Sequence, residues 1–231
     1  MTISRLFFFV ALLVGFTAPA FAGYDEGKAA YDKHDFAKAY AEFRPLAEQG
    51  DARAQFSLGQ MFYNAEGVPR DYKEAAKWYR KAAEQQHTQA QFLLGFLYLG
   101  GQGVDEDKNE ALRWFRKAAE QEEPLAQMLL GEMYAHGDHG VQQDYVEAVN
   151  WYRKAADQGL AAAQCDLGVM YAKGQGVPQN LVQAHMWFNL ALSRGLKGAE
   201  KNRDKVAKEM TPSQIAEAQH LADQWKPKCK D

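Results

Sequence analysis

Along residues 54–195 the apolar positions fall at helical spacing, and the same arrangement returns four times. The phrase AQFLLGFLYLGGQGVDEDKNEALRWFRKAA starts at Ala90 and has close counterparts starting at Ala54, Ala126 and Ala163. Trp78, Trp114, Trp151 and Trp187 mark steps of 36, 37 and 36 residues. Within each unit, the opening alanine and Leu58, Leu94, Leu130 or Leu167 predict a first helix, from about Ala54 to Phe62 in the first repeat. Ala75, Trp78, Ala82, Ala83 and their counterparts predict a second. A helix pair this small cannot bury its own apolar face. A fixed period in this range therefore predicts an all-α solenoid of stacked antiparallel pairs.

The punctuation repeats with the stripes. Gly67, Gly103, Gly140 and Gly176 stand where the chain must reverse and can supply a positive φ. The valine after each is expected to tuck under the turn, and the third repeat has one extra residue there. Asp71-x-x-Glu74, Asp107-x-x-Glu110, Asp144-x-x-Glu147 and Asn180-x-x-Gln183 read as capping boxes at the second helix. Recurrence at every helix start separates these acids from a catalytic pair. Gly59, Gly95, Gly131 and Gly168 sit inside the first helix, where glycine costs about 1 kcal/mol against alanine. Close approach of the paired helix is the expected reason.

The ends differ from the middle. Residues 1–22 have Arg5, an apolar run from Leu6 to Phe16 and Ala20-x-Ala22, the pattern of a secretory signal cleaved after Ala22. The run falls short of the roughly 20 residues that span a bilayer. Residues 23–50 read as a shortened capping pair, with Asp35 as a helix start, Gly50 as a stop and Pro45 as a kink or loosened turn. Four units follow, at 51–86, 87–122, 123–159 and 160–195, then a capping segment and tail at 196–231. In the fourth unit Asn189-Leu190-Ala191-Leu192 replaces the R-K-A-A of the others, which calls for a cover. A helix near Ala199–Met210 and a second opened by the box Thr211-Pro-Ser-Gln214 can supply it.

The recurring glycine, Gly-Val, acid and tryptophan positions over residues 51–195 resemble the Sel1-like repeat, a relative of the tetratricopeptide repeat. Ala65, where the other loops have Gly101, Gly137 and Gly174, is a small departure. The resemblance implies a right-handed superhelix that offers an adaptor surface to proteins. Cysteine-rich members linked to β-lactam binding or hydrolysis carry a cysteine pair in each repeat, and this chain has two cysteines in all.

Charge and chemistry narrow the function. After the leader, 26 Lys and Arg face 30 Asp and Glu, a mildly acidic balance without a footprint for nucleic acid. Cys165 and Cys229 are a candidate disulfide in an oxidising compartment, although Cys165 also stands at the apolar register of Phe56, Phe92 and Met128, where a buried thiol would serve. His136, Asp138 and His139 share the lengthened loop but have no further ligand in sequence, and no metal or cofactor is expected. No nucleophile elbow or phosphate loop is present, so no catalytic residue is assigned. The first helices instead vary at Ser57/Leu93/Leu129/Asp166 and Gln60/Phe96/Glu132/Val169. Leu93, Phe96, Leu99, Leu129 and Glu132 form the candidate protein-binding face, unless neighbouring helices bury them. The expected function is a monomeric, non-catalytic periplasmic scaffold for protein partners in the cell envelope, without stable membrane insertion. An envelope glycan or peptidoglycan binder is the alternative, and a hydrolase acting on cell-wall material or β-lactams the third.

Overall fold

The computed structural model describes residues 22–228, so the leader sequence up to Phe21 and Cys229 lie outside the described residues. A leading pair, α1 (Ala22–Asp32) and α2 (Phe36–Glu48), precedes the four repeats. These are α3 (Ala52–Asn64) with α4 (Tyr72–Glu84), α5 (Thr88–Gly100) with α6 (Lys108–Glu120), α7 (Pro124–His136) with α8 (Tyr145–Asp157), and α9 (Ala161–Lys173) with α10 (Leu181–Ser193). Helices α11 (Ala199–Ala207) and α12 (Pro212–Gln224) close the chain. From α1 to α11 each helix packs on its neighbours in sequence, α12 packs back on α10, and among the described residues there is no strand. The architecture is an α-solenoid, as the periodicity predicts.

The first helices are longer than their apolar stripes. In α3, Asp51 accepts hydrogen bonds from the amides of Arg53 and Ala54, which moves the start to Ala52. The other end is set by a left-handed residue: Ala65, Gly101, Gly137 and Gly174 have φ of 64°, 61°, 70° and 67°. Helix α2 runs through Pro45 to Glu48, where the Gln49 amide donates to Pro45 O, so the proline does not end it.

One joint holds every pair together. A β-carbon on Gly59 would come within 2.5 Å of the Tyr79 ring; Gly95 meets Phe115 at 2.5 Å, Gly131 meets Tyr152 at 2.6 Å and Gly168 meets Phe188 at 2.7 Å. The leading pair has the same joint, Gly27 on Phe43 at 2.6 Å. Close approach thus has a specific partner, the aromatic residue that follows each tryptophan. These rings are buried, and full burial of such a side chain is worth about 2–3 kcal/mol.

Only half of the expected capping box forms at the second helices. Asp71, Asp107 and Asp144 each accept from two amides of the first turn, and Asn180 accepts from the Gln183 amide. The reciprocal bond is missing because the cap's own amide is used elsewhere. It donates back to the first helix, to Phe62 O, Tyr98 O, Tyr134 O and Tyr171 O at 2.8–3.0 Å. Released from capping, Glu74 pairs with Lys77 and Glu110 with Arg113. At Thr211–Gln214, with no preceding partner helix to bind the cap amide, the box is complete.

A glutamine ladder links the repeats. Gln55, Gln91, Gln127 and Gln164 are buried, and each side-chain amide donates to the last turn of the preceding second helix, at Ala47 O, Ala83 O, Ala119 O and Ala156 O (3.1–3.2 Å). Their side-chain oxygens accept from Gln85, Gln121 and Gln158 in the first three repeats. The fourth repeat has Arg194 at that position, and Gln164 Oε1 is buried with no hydrogen-bond partner among the described residues. A second ladder runs from Arg80, Arg116 and Arg153 to the hydroxyls of Tyr98, Tyr134 and Tyr171 in the next repeat.

The C-terminal cover forms as expected. Both α11 and α12 pack on α10, and Leu190 is buried. Trp225 stacks edge-on against Trp187 with ring centroids 6.2 Å apart, and Arg194 lies 5.2 Å from the Trp225 ring. The tail is then held at Lys228, whose amide and ammonium both bond Asp157.

Candidate protein-binding face

Because second helices are wedged between successive first helices, α3, α5, α7 and α9 present a common layer. On α7, Leu125, Leu129, Glu132 and His136 are spaced four, three and four residues apart and so form one stripe. The matching stripes are Leu93, Phe96 and Gly100 on α5 and Asp166, Val169 and Lys173 on α9. Glu132 lies near enough to Asp166 to repel it, which brings a late position on α7 close to an earlier position on α9. By repeat equivalence the corresponding positions are Phe96 with Leu129 and Gln60 with Leu93. The rungs between first helices are therefore mixed, then apolar, then doubly acidic.

The predicted face is partly surface and partly core. Phe96 is 40% exposed, although its ring is held edge-on by Phe92 (4.9 Å) and Phe115 (5.1 Å). Leu93 is half-buried against the core beneath α5, while Leu99 and Leu129 are half-buried against the core between α6 and α7. Glu132 is half-buried as well. Leu125, 44% exposed, extends the apolar surface by one turn of α7. It was not among the predicted residues, yet its place four residues before Leu129 was readable. Asp166 is the other omission. It is a charge in a column otherwise filled by Ser57, Leu93 and Leu129.

A cavity of about 300 Å³ opens between α7 and α9, with His136, Tyr145, Tyr152, Asp166, Val169, Met170 and Lys173 in its wall. Burial, and then repulsion from Glu132, pushes the Asp166 carboxyl up to about 6. Glu132 is raised by burial too, and His136 moderates both carboxylates. Neither carboxylate has a cation within ion-pairing distance among the described residues, although other half-buried acids do (Glu74, Glu110, Asp157).

Other positions offer less chemistry. His136 Nδ1 lies 2.9 Å from Glu132 O in its own helix, and His139 lies 3.8 Å from its neighbour Asp138. Among the described residues no three His, Cys, Asp or Glu side chains gather as a metal-holding group. Cys165 is half-buried beside α11, with burial raising its thiol and Asn202 donating to its sulfur at 3.8 Å. Its proposed partner, Cys229, is outside the described residues. At the second-helix starts Asp71, Asp107 and Asp144 are caps, whereas Glu74 and Glu110 form ion pairs instead. No helix among the described residues is long and apolar enough to cross a membrane.

Known proteins share this frame. A Sel1 repeat protein from Oxalobacter formigenes superposes with a TM-score of 0.71 and is 37% identical, over 74% of this chain and 49% of its own. A protective antigen present in uropathogenic Escherichia coli strains, displaying an SLR fold, superposes at 0.58 with 31% identity, over 88% of this chain and 52% of its own. The chain thus spans about half the length of these two structures. No match was found among curated proteins. Sel1 repeats mediate protein–protein interaction and are typically non-catalytic. The family model for the Sel1 repeat matches residues 52–87, 88–123, 124–160 and 161–196 in unbroken succession, and this chain belongs to the Sel1 repeat family.

Proposed function

We propose that this chain is a non-catalytic scaffold of the cell envelope, exported by its cleavable leader to the periplasm, that grips a segment of another protein on its first-helix face. The observation that carries the reading is Phe96. An aromatic ring left 40% exposed, and fixed by two buried or half-buried rings, is pre-organised contact area. Immobilising such a ring on binding costs little entropy, which is why aromatics dominate recognition surfaces. Phe96 on α5 and Leu125 on α7 are exposed apolar side chains on neighbouring first helices, with half-buried Leu129 one turn along from Leu125, and apolar surface of this kind marks interaction sites.

A photo-crosslinking residue placed at Leu125, and separately at Val146, tests the reading in cells. Both side chains are exposed and apolar, but Val146 lies in the second-helix layer. Adducts are expected from position 125 and not from 146, and Phe96→Ala should reduce them. Equal labelling from both positions, or none from position 125, would overturn the proposed face. Export has its own check, since periplasmic protein should begin at Gly23, and an intact Met1 in that fraction would contradict cleavage.

A further inference from the structure

Resting on that reading, we propose that the bound segment carries an apolar side chain, seated on Phe96 and Leu129, and a lysine or arginine three or four residues along that enters the cavity between α7 and α9. The apolar rung alone would accept many partners. The adjoining rung would not, because it concentrates negative charge. Asp166 stands in the cavity wall and Glu132 lies near enough to repel it, and neither is in an ion pair among the described residues. Lys173 lines the same cavity but does not reach ion-pairing distance of Asp166, and His136 is the other basic group that feels the carboxylates.

The cavity suits a long cationic side chain. Val169, Met170 and the rings of Tyr145 and Tyr152 offer a wall for methylene groups, with Asp166 in the same wall to meet the charge. Its volume of about 300 Å³ leaves room for one such side chain. The spacing follows from helix geometry: successive rungs lie about 10 Å apart, and an extended peptide advances about 3.3 Å per residue. A free ammonium compound could satisfy the carboxylates but would leave Phe96 and Leu125 uncovered, which favours a protein segment.

The experiment is binding of the full chain to an immobilised positional-scanning library of ten-residue synthetic peptides, with free lysine amide as a competitor. The expected selection is an aromatic or aliphatic residue followed three or four positions later by Lys or Arg. The double variant Glu132→Gln, Asp166→Asn should weaken the best peptide by about tenfold or more and abolish its preference for Lys over Glu. Phe96→Ala should weaken Lys-bearing and Gln-bearing forms of that peptide alike. Thermal melts confirm that each variant is folded. Selection without a cation, undiminished binding by the double variant, no enrichment at all, or full displacement by lysine amide would each overturn the inference. Peptides that bind through Phe96 without charge preference would remove only the cation and leave the scaffold reading standing. Failure of both the library and the cross-link from position 125 would remove both.

Discussion

The seam inside each helix pair and the face shared by the first helices are built on one register, yet they behave oppositely. Along the seam the chemistry is copied, with glycine against an aromatic ring in five pairs, and it is copied again between units, where a buried glutamine meets a backbone carbonyl of the preceding helix four times. Along the face it changes at every rung, from Gln60 with Leu93, to Phe96 with Leu129, to Glu132 with Asp166. Identical surroundings make identical demands, so copied residues report what the solenoid requires to stack. Residues that vary inside an invariant frame are free of that demand. In a repeat protein, variation between units within a single chain therefore separates fold from recognition without reference to any other sequence.

The sharpest break of this comparison is at the seam. Gly131→Val sets a branched side chain against the Tyr152 ring, where even a β-carbon lies at 2.6 Å. The ring is buried and cannot swing away, so denaturant melts should show a loss of about 3 kcal/mol. Equal losses from Gly131→Val and from a valine at exposed Asp138 would contradict the joint. Next comes the ladder. Gln127→Ala removes two hydrogen bonds, the donor to Ala119 O and the acceptor for Gln158, while each partner keeps a second bond through Glu122, and about 1–2 kcal/mol should be lost. A loss no greater than that of an exposed Gln→Ala change would show that the ladder is ornamental.

On the face the sign reverses. Burial and the nearby Glu132 hold the Asp166 carboxyl at about 6 in the folded chain, well above an ordinary aspartate. A raised acid destabilises the folded state when charged. The penalty is absent below pH ~4, grows as pH rises, and is complete above pH ~6. Asp166→Asn should therefore stabilise the protein by roughly 1–2 kcal/mol at pH 7 and by nothing near pH 3.5. Melts across that range check both magnitude and direction, and an Asn variant no more stable at pH 7 would sink the assignment. The smallest effect sharpens the frame itself. Ala65 adopts the left-handed conformation that glycine supplies in the other repeats, so Ala65→Gly should gain about 0.5–1 kcal/mol. Its chemical-denaturation midpoint should rise accordingly.

Much of the fold was legible because its signals were local and repeated. Periodic alanines, the Gly-Val turns and the acidic caps each act within a few residues. The reciprocal half of the capping box was misread because the Asp71, Asp107 and Asp144 amides bond across to the first helix, and sequence spacing cannot show where an amide points. The ladder residues, Gln55 to Gln164 and Gln85 to Gln158, recur as plainly as the tryptophans. Their role stayed hidden because it joins positions 30 or 31 residues apart. For the face, Phe96 was identifiable as apolar excess, but its exposure, and the partial burial of Leu93, Leu99 and Leu129, depend on how closely neighbouring repeats approach. The leading pair was read as a cap, whereas its joint, Gly27 on Phe43, was missed because only one unit carries it in that form.

The glutamine ladder also bears on how such an array can change its copy number. Each unit offers one carbonyl to the next and closes its own rung internally, so a duplicated unit spliced between the second and third repeats would find Ala119 O waiting and present an equivalent carbonyl to Gln127. The same unit appended after the fourth would meet a different boundary. There Arg194 has left the rung, its guanidinium lying against Gly159 and near Trp225, and α11 and α12 occupy the stacking surface. Growth is open within the array and shut at its C-terminal end. Lineages that lengthen this protein are expected to do so by internal duplication, carrying the same terminal unit outward each time.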